Sequence, residues 1–195
     1  MTPGHWDGVY LAKAPEEVSW FQREPEVSLR LLAGLPVGSL VDVGAGASLL
    51  GDRLVDRGWD VTLLDVSGEA LAVVRRRLGE RASYLVADVL SWQPDRRYDV
   101  WHDRAVFHFL TEEADRARYS ATAARAVAPG GALVLGVFAS DGPESCSGLP
   151  TTRWSADALA TALGDDWRLE HDEREEHTTP WGVVQPFTWV VLRRA

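Results

Sequence analysis

Asp42, Gly44 and Gly46 stand together in VDVGAGASLL, Val41 to Leu50: an apolar run, an acid, then glycines in quick succession. Glycine-rich turns from a strand into a helix hold nucleotide-like cofactors, because their backbone N–H groups converge on the ligand. A dinucleotide site needs a third glycine, in G-x-G-x-x-G, so that helix and strand can close beside a pyrophosphate. Here that position is Leu49. No Gly-Lys-Ser/Thr follows either, which excludes a phosphate loop. The acid argues the same way, since a carboxylate repels a pyrophosphate and attracts an ammonium group. The loop suits a nucleoside with a cationic, amino-acid-like tail, and S-adenosylmethionine fits that description. Asp65, 21 residues past Gly44, ends a second apolar run where a carboxylate can accept from both ribose hydroxyls. Asp88, in LVADVLSW, is placed to accept from the adenine amino group, with Val89 or Leu90 covering the ring.

A second group of reactive side chains lies in WHDRAVFHFL, Trp101 to Leu110. Asp103 is expected to orient the cofactor's amino group or to act as a base. Arg104 either neutralises an anionic acceptor or pairs with a neighbouring acid. His108 is a candidate general base near neutral pH, or else a satisfied histidine at a helix start. A metal triad of His102, Asp103 and His108 has nothing else to support it, so no metal is expected. Methyl transfer from a sulfonium is an in-line displacement that needs alignment and exclusion of water. A thiol, with pKa near 8.5, needs little further help.

These residues must be positioned by an alternating chain. From residue 39 onward β-branched runs alternate with Ala/Leu/Arg-rich stretches of helical period, the rhythm of a mostly parallel sheet with helices on both faces. Strands are expected at Ser39–Val43, Asp60–Asp65, Ser83–Val86, Tyr98–His102, Ala132–Phe138, Trp167–Glu173 and Gln185–Leu192. Helices are expected at Leu49–Arg57, Gly68–Leu78, Glu112–Ala126 and Ser155–Leu163, with one or two more within Glu16–Leu35. Ser67 and Thr111 are candidate caps, Gly58 a left-handed helix end, and Pro129-Gly130-Gly131 a turn. HDEREEHTTPWG reads as a turn, which makes the last two strands an antiparallel hairpin at the sheet edge.

The chain has 195 residues and a formal net charge of −9, which argues against nucleic acid as a partner. Lys13 is the one lysine, and Cys146 the one cysteine, so no intramolecular disulfide or cysteine-based zinc site can form. No apolar stretch approaches a bilayer span, and MTPGHWDGVYLAKAPEE lacks the basic start and apolar run of a secretory leader. A cytoplasmic monomer or homodimer with no membrane partner is the expectation.

With VDVGAGAS, VTLLDVS, LVADV, YDVWHDRAVFHFL and AVAPGGALVLGVF in order across residues 39–138, the chain resembles class I S-adenosylmethionine-dependent methyltransferases. The resemblance implies a Rossmann-like, doubly wound α/β fold with seven strands and a reversed last strand. It implies cofactor contacts at Asp42, Gly44, Ala45, Gly46, Asp65, Val66, Asp88 and Val89, and at His102 and Asp103 toward the methionine end. Ser48 departs from the pattern, where many members have a further glycine.

The ends should close the substrate side. Of nine tryptophans, Trp20 with Phe21 either forms a lid over the sulfonium, whose charge favours aromatic faces, or packs an extra helix on the sheet. Phe21, Arg104, Arg153, His177 and Trp181 are the candidate substrate contacts. Cys146 reads as a loop residue rather than a nucleophile. The C-terminal part is similar to thiopurine-type and tellurite-resistance-type methyltransferases, which implies a small-molecule acceptor, a thiol or another chalcogen. The opening W-D-x-x-Y…S-W-F-Q is similar to certain protein-lysine methyltransferases. An inactive methyltransferase-like binding domain is the remaining alternative. The whole chain, 1–195, is expected to be one domain: a helical lid (1–36), a cofactor core (37–140) and a substrate-side segment (141–195).

Overall fold

The computed structural model describes residues 3–195. Strands β1 (Ser39–Val43), β2 (Asp60–Asp65) and β3 (Ser83–Val86) have the expected bounds. β4 continues through Asp103 to Arg104, and β5 spans Val127–Phe138. The CSGLP stretch folds as a tight ribbon, β6 (Ser145–Cys146) with β7 (Leu149–Pro150). β8 covers Trp167–Thr178 and β9 Val184–Arg194. The large sheet has seven strands in the order β3-β2-β1-β4-β5-β9-β8. Pairs from β3 to β5 are parallel, and β9 runs antiparallel to both its neighbours, so it is the reversed strand.

Helices α1 (Pro3–Ala12), α2 (Glu26–Ala33), α3 (Leu50–Asp56), α4 (Gly68–Leu78), α5 (Glu113–Ala126) and α6 (Ala156–Leu163) cover the sheet. Alternation along each strand sorts apolar side chains to two faces. Leu40, Val100, Val134 and Trp189 pack against α2, α3 and α4 through Leu32, Leu54 and Leu71. Val41, Trp101, Leu133 and Leu192 pack against α5 and α6 through Ala123 and Leu159. Within the sheet, Gly136 on β5 leaves room for its cross-strand partner on β9: a Cβ there would lie 2.7 Å from the Trp189 indole.

Several local expectations change. Pro129-Gly130-Gly131 does not precede β5 but loops out inside it: Tyr98 pairs with Val127, and the next pairs are Val100–Ala132 onward. Thr111 does not cap α5; Glu112 holds the cap position without a side-chain bond. Ser67 and Ser155 do cap, accepting from Ala70 N and Ala158 N, and Gly58 has φ +86°. HDEREEHT is strand rather than turn, since β8 is an edge strand and Glu170, Asp172, Arg174 and Glu176 face solvent; the turn is at 179–183. Within Glu16–Leu35, one turn of 3₁₀ helix at Pro15–Glu17 and α2 form. α1 has no signal of its own, with Gly4 and Gly8 inside it, and is held by tertiary contacts: Trp6 is buried against Trp20 and Phe109.

Candidate functional site

The carboxyl ends of the parallel strands open into two recesses that share Tyr10, Trp20, Gly44 and Arg104. The larger encloses about 770 Å³ of empty space, its open mouth included, and the smaller about 560 Å³. The larger runs across the sheet edge from residues after β3 to residues of β9. Five strand spacings of about 4.8 Å make that about 24 Å, room for a nucleoside and a second small molecule.

At the β2–β3 end, Asp65, Val66, Asp88 and Val89 line the larger recess. Asp65 is buried and accepts Gly46 N (2.8 Å) and Ser67 N (2.8 Å), tying the glycine loop to the start of α4. Burial raises its pKa to about 6. Each of its oxygens keeps a lone pair for a ribose hydroxyl. Asp88 accepts Leu90 N through Oδ1 (2.9 Å). Gly44 has φ +67° and Gly46 φ +55°; a Cβ on Gly44 would sit 2.0 Å from Val106 Cγ2 and one on Gly46 2.5 Å from the Tyr10 hydroxyl. Both positions take left-handed backbone, where a side chain is strained, and a Cβ at either would have to displace Val106 or Tyr10.

Asp42, Ala45, Gly46 and His102 line the smaller recess. Register places Asp42 opposite His102, and the ring Nδ1 meets Asp42 Oδ1 at 2.7 Å while Nε2 meets Ser28 Oγ at 3.0 Å. With Nδ1–H donated to Asp42 and the Ser28 hydroxyl donated to Nε2, both ring nitrogens are satisfied and the Asp42 carboxyl is held beside the glycine loop. An ammonium tail fits there. Acids at three strand ends, a glycine cradle and apolar walls at Leu64, Val66 and Val89 therefore suit S-adenosylmethionine.

His102 and Asp103 are consecutive in β4 and so point to opposite faces. Asp103 lines neither recess. Fully buried, it accepts Val106 N (2.8 Å), Phe107 N (3.2 Å) and Tyr119 Oη (2.6 Å), with a pKa raised to about 7 by burial. Its geometry is that of a brace for the segment after β4, and the expected cofactor or base role does not match it. His108 is buried in the larger recess and stacks on Phe138 at 4.2 Å. Its Nδ1 accepts Phe138 N (3.3 Å), so Nε2 carries the proton. Burial, then the Arg104 charge, push its pKa down to about 3. His108 is thus a neutral donor, not the expected base.

Arg104 reaches both recesses. Its Nη1 donates to Trp20 O (3.0 Å) and its guanidinium lies 4.7 Å over the Phe187 ring. Trp20 borders both recesses and Phe21 the smaller one. Trp6 and Tyr10 meet Trp20 edge-on, so α1 forms part of the wall. Three expected substrate residues lie elsewhere. Arg153 pairs with Glu144 at the surface (3.0 Å), His177 Nε2 donates to Ser19 O (2.7 Å), and Trp181 is 58% exposed on the β8–β9 turn. Sequence reasoning missed Ser28, Val106, Phe109, Phe138 and Phe187; Phe138 ends a strand at the ligand edge, which was a usable signal. Among the described residues no His/Cys/Asp/Glu group could hold a metal ion, and no helix is long and apolar enough to cross a membrane.

Residues 40–131 match the methyltransferase domain family. Nodulation protein S of Rhizobium tropici is 29% identical over 117 residues, 59% of this chain and 49% of that one, so the chain spans about half the length of the curated relatives it matches. A protein solved in work on the conversion of a disulfide bond into a thioacetal group during echinomycin biosynthesis superposes with TM-score 0.79 at 24% identity, covering 99% of this chain and 93% of its own. The 1,6-didemethyltoxoflavin-N1-methyltransferase of Burkholderia thailandensis, solved with S-adenosylhomocysteine, gives TM-score 0.74 at 22% identity, over 98% and 84%. At these identities the two structures establish a shared fold. The match to the methyltransferase domain family covers the glycine loop and the three strand-end acids, and the whole chain is similar in fold to these two structures.

Proposed function

We propose that the protein transfers the methyl group of S-adenosylmethionine to a small-molecule nucleophile, a thiol or other chalcogen. One observation carries the reading: a single cleft has donor-type acids at its β2–β3 end and an aromatic-walled chamber without a free base at its β4–β9 end. The cofactor, when bound, supplies an activated methyl on a sulfonium. Asp65 and Asp88 then hold the nucleoside, and Asp42, oriented by His102, holds the cationic tail. Trp20 and Phe109 wall the chamber against water. A nucleophile that ionises readily needs no more than this alignment, and soft sulfur chemistry also occurs around the echinomycin-related structure. A protein-lysine acceptor and a silent binding domain are the competing readings. The test is S-adenosylhomocysteine release from labelled cofactor with thiols, sulfide, tellurite, amines and phenols. Turnover confined to thiols and chalcogens is expected. Amine-only turnover, or calorimetry showing no S-adenosylmethionine binding, overturns the proposal.

A further inference from the structure

Arg104 is a buried cation left half-used. Nη1 is spent on Trp20 O, but Nε and Nη2 have no partner among the described residues. The carboxylate whose field it feels, Glu175, is committed elsewhere: Oε1 accepts Gln22 Nε2 (2.8 Å) and Oε2 accepts Trp189 Nε1 (2.7 Å). Four residues on, His108 Nε2 is another buried donor without a partner. Both side chains line the larger recess, with Phe138, Phe187, Gln185 and Cys146 beside them. Leaving a guanidinium buried with free donors costs free energy unless an acceptor arrives. An acceptor entering the recess would complete this corner.

We propose that the methyl acceptor binds as an anion, its charged group seated against Nε and Nη2 of Arg104 and accepting the Nε2–H of His108. This deepens the methyltransferase reading and rests on it. Charge favours it: a donor bound in the same cleft brings a sulfonium, and a second cation nearby requires a counter-charge. Proton bookkeeping agrees. His108 Nδ1 is occupied, Asp103 lies on the other face, and Asp65 and Asp88 belong to the far end of the cleft. The nucleophile must arrive already deprotonated, as a thiolate, carboxylate or chalcogen oxyanion does. Its lone pair forms the new bond to carbon, the sulfur–carbon pair stays with sulfur, and no proton is released.

The test uses benzoate, a small aromatic anion suited to the aromatic walls, and benzamide, its neutral isostere. Their binding to the full chain is measured by calorimetry with and without saturating S-adenosylhomocysteine. Benzoate is expected to bind at least tenfold tighter than benzamide. Arg104→Gln should erase that preference and Arg104→Lys should keep part of it, with S-adenosylhomocysteine binding unchanged in both. Equal binding of the two probes, or an undiminished benzoate preference in Arg104→Gln, overturns the proposal. So does loss of S-adenosylhomocysteine binding in folded Arg104→Gln and Arg104→Lys, because the cofactor's own carboxylate would then be the partner. If the parent binds no S-adenosylhomocysteine at all, the methyltransferase reading fails, while the benzoate–benzamide comparison on the free protein still decides the anion site.

Discussion

Gly44 shows how little freedom a single position in this cleft has. Its N–H and that of Ala45 both donate to Leu64 O (2.8 and 3.1 Å), which pins the end of β1 to β2 and forces the left-handed backbone. Gly44→Ala would add the left-handed penalty of roughly 1–2 kcal/mol and drive a methyl into Val106. A loss of about 2 kcal/mol and a Tm lower by roughly 4–8 °C are expected, with S-adenosylhomocysteine binding weakened more than tenfold. An unchanged Tm by calorimetry would show that the loop relaxes instead. Residues of this kind were legible in the sequence because their chemistry is local: a glycine needing positive φ, or an acid at a strand end, is fixed by its nearest neighbours. Asp103, Arg153 and His177 were not, because their roles depend on which face or distant chain segment they meet. For Asp103 the period-2 rule, placing it opposite His102, already held the answer.

At the scale of elements, α1 is the least predictable piece and the one most exposed to a test. Asp7 Oδ1 accepts the Ser67 hydroxyl (2.6 Å) and Glu69 N (3.4 Å), so the first helix places a carboxylate at the N-terminus of α4, where the helix dipole favours it. Asp7→Ala should cost about 1 kcal/mol and speed hydrogen exchange in residues 3–12. Cofactor affinity should fall severalfold, since Trp6 and Tyr10 wall the cleft. Exchange rates identical to the parent would mean that aromatic packing alone holds α1. Sequence pattern finds helices that carry their own amphipathic stripe, as α4 does. It misses one whose anchor lies some sixty residues away, and it cuts β8 short because a charged edge strand looks like a loop.

For the whole molecule, buried titrating groups set how stability follows pH. His108, held near 3 in the folded state against about 6.5 unfolded, binds its proton later than the unfolded chain does. The unfolded state therefore carries the extra proton between those values. The neutral ring's contribution is full above pH 6.5 and drains away as pH falls toward 3. Asp65 and Asp103, raised to about 6 and 7, act oppositely, lending stability below the ordinary carboxylate range that declines as pH rises through 4 to 7. A His108→Gln variant isolates the first effect: between pH 7 and 4 its Tm should fall less steeply than the parent's. Parallel Tm curves would mean that His108 opens to solvent before it charges. The sheet's reversed strand has a different consequence. Because β9 runs backward, its beginning, Gln185 and Phe187, meets the cleft at the same edge as the ends of β4 and β5. Exchanges at Gln185 and Phe187 thus reshape the cleft beside β4 and β5 from a strand that comes last in the chain. The acids after β2 and β3, at the other end of the cleft, are left in place.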